Sequence, residues 1–159
     1  PLPTVSILYN TNEMHKAVAE AIQSIWKEEL GVTAELVNQE TKVYFDTRTA
    51  GNFQIAKSSW VADYSDPQTF LDVFYDPDND ARYHSEEFNA RMETVHNTAD
   101  QRVRMNIMHE AEQILFRDAV LIPIYFTTQP YVATNRIGGY NWSSLGTVDF
   151  KSAFTKDET

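Results

Sequence analysis

The opening of the chain leaves few folds available to it. Thr4-Val5-Ser6-Ile7-Leu8-Tyr9 is a β-rich run, and the polar residues Asn10 to Asn12 can cap a helix. From Glu13 to Leu30 the apolar residues Met14, Ala17, Val18, Ala21, Ile22, Ile25 and Trp26 recur every three or four positions, the spacing of an amphipathic helix. Gly31 stands where a left-handed C-terminal cap belongs, and Val32-Thr33-Ala34-Glu35-Leu36-Val37 reads as a second strand. Strand, helix and strand with short connections predict parallel strands joined by a right-handed crossover. The fold class that follows is α/β, a mixed sheet flanked by helices.

The remainder extends this frame. Thr41 to Ala50 reads as a short helix stopping at Gly51, and Asn52 to Ser58 as a third strand. Asp66-Pro67 predicts an N-cap followed by proline at the first helical position, with Phe70, Leu71, Val73 and Phe74 on an apolar side. Ser85 to His96 is a further helix. Thr98-Ala99-Asp100-Gln101 fits a capping box before a longer one whose Val103, Ile107, Met108, Ala111, Ile114 and Leu115 share a face. These two helices are expected to pack together. Ala119 to Phe126 reads as a buried strand placed at an edge or bulged by Pro123, and Tyr131 to Thr134 as one more strand. Beyond Gly138-Gly139 periodicity fades, ending in the charged tail Thr155 to Thr159.

Composition excludes several chemistries. A net charge of −10 opposes nucleic-acid binding, which needs a basic face. The absence of cysteine removes thiolate catalysis and the common zinc sites. His15, His84, His96 and His109 lack paired ligand spacing, so neither metal nor other cofactor is predicted. Asp76-Pro77-Asp78-Asn79-Asp80 is either a solvated acidic turn or a calcium loop, but the glycine and distal glutamate of the latter are not in place. No Gly-x-Ser-x-Gly turn and no glycine-rich phosphate loop occurs, so no enzyme is predicted.

The stretch Ser58-Ser59-Trp60-Val61-Ala62-Asp63-Tyr64-Ser65-Asp66-Pro67 sits between a predicted strand and a predicted helix. An indole wall at Trp60 and a carboxylate at Asp63 together suit an ammonium group. The alternatives are a core tryptophan and a capping acid. Tyr9, Tyr44, Trp60, Tyr64 and Tyr140 also fall near strand ends and loops, where binding residues are usually placed.

Four ordered runs carry a resemblance. They are Tyr9-Asn10-Thr11 with His15-Lys16, Trp26-Lys27 with Leu30-Gly31-Val32, Asn38-Gln39-Glu40 with Phe45-Asp46-Thr47-Arg48, and Trp60 through Pro67. Over roughly residues 5 to 140 the chain resembles the oligopeptide-binding proteins of bacterial ABC importers, solute-binding protein family 5. It is nearest the Gram-negative periplasmic type and its murein-peptide relatives. The resemblance implies one lobe of a two-lobed periplasmic binding protein (type II-like), with residues 1–140 as a C-terminal peptide-binding lobe and 141–159 returning toward an N-terminal lobe. The start at Pro1-Leu2-Pro3, without Met, fits an excised piece of a longer protein.

By the same resemblance Asp63 holds the peptide amine, Trp60 walls its pocket, and His15 and Arg48 line the cleft, some such groups meeting the peptide carboxylate. Arg48 has the alternative of a surface pair with Asp46. Lys57 stands where close relatives carry arginine, which keeps a point charge but loses bidentate recognition. Thr41 replaces a tryptophan and so removes a side-chain pocket wall, and Val61 stands where some relatives use cysteine. The implied partners are an oligopeptide, a membrane permease and the N-terminal lobe, the implied location the periplasm. Alternatives within the superfamily are dipeptide, nickel or murein-peptide specialists; a signalling or chaperone-like receptor is a different class.

Overall fold

The structure, a computed structural model, describes residues 3–143 and 145–156. The chain divides into two compact units, one from Pro1–Trp60 and Val73–Ser85, the other from Val61–Asp72 and Glu86–Thr159.

In the first unit β1 (Val5–Asn10), α1 (Glu13–Leu30), β2 (Ala34–Gln39), α2 (Thr41–Thr49) and β3 (Ile55–Ala56) follow in sequence. The sheet has the order β2-β1-β3. It is parallel throughout, with Val5 opposite Ala34, Asn10 opposite Gln39 and Ile7 opposite Ile55. Helix α1 begins where Asn12 accepts hydrogen bonds from the backbone N–H groups of Met14 and His15. It ends at Gly31, whose φ of 66° is the left-handed cap that the sequence called for. Ile7, Leu8, Tyr9, Ala19, Ala34 and Tyr44 are buried here, so Tyr9 is a core residue, and it is not among those lining the recess described below.

The third strand is much shorter than the predicted Asn52 to Ser58, for a local reason. The Ser6 backbone N–H donates to the Gln54 side-chain oxygen at 2.7 Å, so a side chain takes the place of a backbone ladder partner. Ladder pairing is confined to Ile55 and Ala56, after which the Lys57 N–H donates to Leu8 O. The acidic turn 76–80 is part of this unit and is internally bonded. The buried Asn79 amide donates to the carbonyls of Asp76 and Tyr83 and accepts from the Tyr83 N–H.

Helix α3 (Gln68–Tyr75) contains the boundary between the units. It starts one residue later than the Asp66-Pro67 pattern suggested, with Asp66 Oδ1 accepting from the Gln68 N–H at 2.9 Å.

The second unit is built on α4 (Glu86–His96) and α5 (Gln101–Arg117), which pack together as expected. Phe88, Met92 and Val95 of α4 and Met108, Ala111, Ile114 and Leu115 of α5 are buried. The cap of α5 is Asp100, whose carboxylate accepts from the Val103 N–H. Thr98, the expected cap, instead donates its hydroxyl back to Thr94 O, closing the end of α4.

Neither strand predicted between residues 119 and 134 forms among the described residues. Phe126 and Val132 are fully exposed and Ile122 is 60% exposed. β-propensity alone does not make a strand without a neighbouring edge to pair with. Further on, β4 (Ile137–Gly138) pairs antiparallel with β7 (Phe154–Thr155), and β5 (Asn141–Trp142) with β6 (Val148–Asp149). Gly139, with φ of 75°, is required here because a Cβ would lie 2.1 Å from Ser152 O. One parallel sheet, two separate antiparallel strand pairs and the flanking helices make this an α/β fold in which both kinds of pairing occur, though in different sheets. No helix among the described residues is long and apolar enough to cross a membrane.

The contact between α4 and α5 should dominate the stability of its unit. Leu115→Ala is expected to cost about 2–5 kcal/mol in urea unfolding. Gln113→Ala, on the exposed side of the same helix, should stay within about 0.5 kcal/mol. Equal effects would mean that the interface is not the core of this unit.

Candidate functional site

In an open α/β sheet the carboxyl ends of parallel strands are where side chains from several elements converge. The first unit has its recess there. Asn10 ends β1, His15 lies in the first turn of α1, Tyr44, Phe45 and Arg48 come from α2, and Lys57 to Trp60 follow β3; together they line an open cavity of about 280 Å³.

Its walls are aromatic, and its ionisable groups other than the Tyr44 phenol are basic: His15, Arg48 and Lys57. The Arg48 guanidinium lies 5.6 Å from the ring centre of Tyr44 and 5.1 Å from that of Phe45, within cation–π range. The Tyr44 hydroxyl donates to Lys57 O, tying α2 to the segment after β3. Arg48 also reaches the hydroxyls of Tyr44 and Ser58 at 3.4 and 3.3 Å. It pairs with Asp80 at 2.7 Å rather than with Asp46.

The His15 Nδ1 lies 2.8 Å from Asn10 Oδ1. Burial, and then the charge of Lys57, lower the His15 pKa against a raising hydrogen bond with Asn10. Burial and the charge of Arg48 likewise lower the Lys57 pKa. The cationic forms are thus held in check by desolvation and by one another. An anion entering the recess relieves that repulsion, so the cavity suits a carboxylate far better than an ammonium.

Of the expected site residues, the structure brings four together in this recess: His15, Arg48, Lys57 and Trp60. Thr41 is the exposed first residue of α2 and is not among the lining residues. Asp63 belongs to the second unit. It is exposed, its backbone N–H donates to Thr69 Oγ1 at 3.2 Å, and that hydroxyl lies 3.4 Å from its carboxylate. Asn10, Phe45, Ser58 and Ser59 are lining residues that sequence patterns alone did not single out, although the β-α-β topology places the strand end at Asn10 where such residues gather.

The residues after Asp63 are fixed by a polar network within the second unit. Arg104 of α5 grips Asp66 with two hydrogen bonds of 3.0 Å and donates to Gln68 at 2.8 Å. Asp72 accepts from the Tyr64 hydroxyl and the Gln68 amide and pairs with His96 at 2.8 Å. Burial and the bond to Asp72 push the Tyr64 phenol up to about 12, keeping it a donor. No cluster of three or more His, Asp or Glu suited to a metal occurs among the described residues.

Comparison with known proteins bears on both units. Residues 1–82, just over half of the chain, match the family described as bacterial extracellular solute-binding proteins, family 5, middle part. The periplasmic oligopeptide-binding protein OppA of Escherichia coli (strain K12) is 37% identical over 139 residues, covering 86% of this chain and 26% of that protein. The dipeptide-binding protein DppE of Bacillus subtilis (strain 168) is 34% identical over 154 residues, covering 96% of this chain and 28% of that protein. Among solved structures, Haemophilus influenzae OppA in complex with the peptide RPPGFSPFR superposes with a TM-score of 0.79 at 36% identity, covering 86% of this chain and 27% of that one. The chain therefore spans about a quarter of the length of the relatives it matches.

The Arg104 pair should be visible in acid. Arg104 holds the Asp66 carboxyl below its ordinary pKa. That stabilisation is present above the unfolded carboxyl pKa of about 3.9 and is lost as pH falls through the lower folded value. Arg104→Gln should cost about 1 kcal/mol at neutral pH. The gap from wild type should close in unfolding measurements carried progressively below pH 4, and a constant gap would show that the charge of Asp66 is not what Arg104 stabilises.

Proposed function

We propose a function from one premise: this chain belongs to the bacterial extracellular solute-binding proteins of family 5. It is part of the peptide-binding component of an ABC importer, acting outside the cytoplasmic membrane, in the periplasm, and delivering oligopeptides to a membrane permease without catalysing a reaction on them. The observation that carries this reading is the recess of the first unit, where Lys57, His15 and Arg48 meet between the aromatic rings of Tyr44, Phe45 and Trp60. A carboxylate, which every peptide carries at one end, is the ligand group that this lining accommodates. Support also comes from relatives named for binding oligopeptides and dipeptides.

Each proposed contact rests on its own surroundings. Lys57 provides a point charge for a carboxylate and His15 a neighbouring ring nitrogen, while Arg48 shapes the wall and its field. Trp60, about half exposed, offers a flat face to an apolar portion of the ligand. Asp63, also exposed, is the acceptor for a peptide ammonium, a charge-assisted bond that strengthens once water is excluded. Thr41, exposed at the start of α2 and outside the lining of this recess, is the place where a side-chain pocket wall is missing. Residues 1–140 make up the peptide-binding lobe and 141–159 run back toward another lobe of the longer protein.

Main-chain and terminal charges are common to all peptides, so such a protein tolerates varied side chains. Binding by the full-length protein is tested by calorimetry with tri- to pentapeptides. Acetylating the peptide amine, or Asp63→Asn, should each weaken binding about tenfold or more while melting stays near wild type, the loss of one charge-assisted contact. Amidating the peptide carboxyl should do the same through Lys57, and Lys57→Gln should abolish that discrimination. Indifference to both end modifications would overturn the peptide reading.

A further inference from the structure

The charge of the recess is set in part by a residue that does not line it. Asp80 lies in the turn after α3, and its carboxylate stands 2.7 Å from Arg48 Nε, the two side chains being 35% and 18% exposed. Nε has no aligned hydrogen-bond acceptor among the described residues, so this pairing is one of charge. The turn that presents Asp80 is held independently of it. Asn79 is bonded to Asp76 and Tyr83, Asp78 N–H donates to Asp76 Oδ1, and the Arg82 guanidinium donates to Thr49 O at the end of α2.

The polar groups facing the cavity are His15 from α1, Arg48 and Tyr44 from α2, Lys57, Ser58 and Ser59 after β3 and the Asn10 amide from β1, with Asp80 behind Arg48. Arg48 and Lys57 are its two strongly basic side chains, and Arg48 already has a counterion. We propose that Asp80 is a positioning residue that fixes the charge of the recess, neutralising Arg48 so that the site accepts a ligand end bearing one carboxylate rather than two. This rests on the peptide-binding reading and names a preference within it. Ligands whose last residue is itself acidic gain nothing from their second negative charge, because Arg48 is already compensated.

The test uses the full-length protein and two tripeptides that differ only in ending with Gln or Glu, both with a free C-terminal carboxyl. Wild type should bind the pair within about twofold of each other. Asp80→Asn, of equal size, should favour the Glu-ended peptide by about fivefold or more, the gain expected when a partly buried cation is released to a new partner. Asp80→Glu should restore the wild-type ratio, and Asp80→Ser should repeat the Asn result without the Asn side chain. An unchanged ratio in the Asn and Ser variants overturns the role of Asp80 alone. So does a loss shared equally by both peptides, which is the signature of a merely loosened turn. If wild type binds neither peptide, the peptide-binding reading fails and takes this preference with it.

Discussion

The parallel pairing of β1 with β2 is the constraint from which the first unit follows. Six residue pairs in register, from Val5 with Ala34 to Asn10 with Gln39, require a crossover, and α1 supplies it. Parallel strands also end together. The residues just past those ends, Asn10, the first turn of α1 and α2, are therefore delivered to one place without any side-chain design. Cationic groups gather there because three separate elements each contribute one: His15 from α1, Arg48 from α2 and Lys57 after β3.

Like charges brought close in a partly buried recess are unstable unless something offsets them. This chain uses several devices together. Lys57 and His15 have their charged forms disfavoured, Arg48 lies near the rings of Tyr44 and Phe45, and Asp80 stands behind it. The mutual repulsion that remains is stored locally and is available to a negatively charged ligand.

The regular part of the fold was legible because its signals were local. The three- and four-residue spacing of α1, the glycine at its end and the two faces of α4 and α5 are each decided within a few turns of chain. The failures came where the outcome depends on a distant partner. Gln54 shortens β3 by reaching Ser6, and the apolar run from Ala119 lacks an adjoining edge among the described residues. For the site, family resemblance pointed to His15, Arg48, Lys57 and Trp60, which no spacing rule would have grouped. The counterion of Arg48 was not legible in the same way: the alternative pair with Asp46 rested on nearness in sequence, whereas Asp80 arrives on a turn whose position only the folded chain reveals.

The bare run around Phe126 and Val132 bears on how this polypeptide behaves in a tube. Its apolar side chains range from half exposed, as at Ile124 and Tyr125, to fully exposed, as at Phe126, while the chain as a whole carries a charge of −10. Mutual repulsion keeps copies apart in dilute buffer, but at physiological ionic strength its reach shrinks to about 8 Å. Colloidal behaviour of these residues on their own is thus governed by the buffer, with clumping favoured as electrolyte is added and dispersal as it is dialysed away.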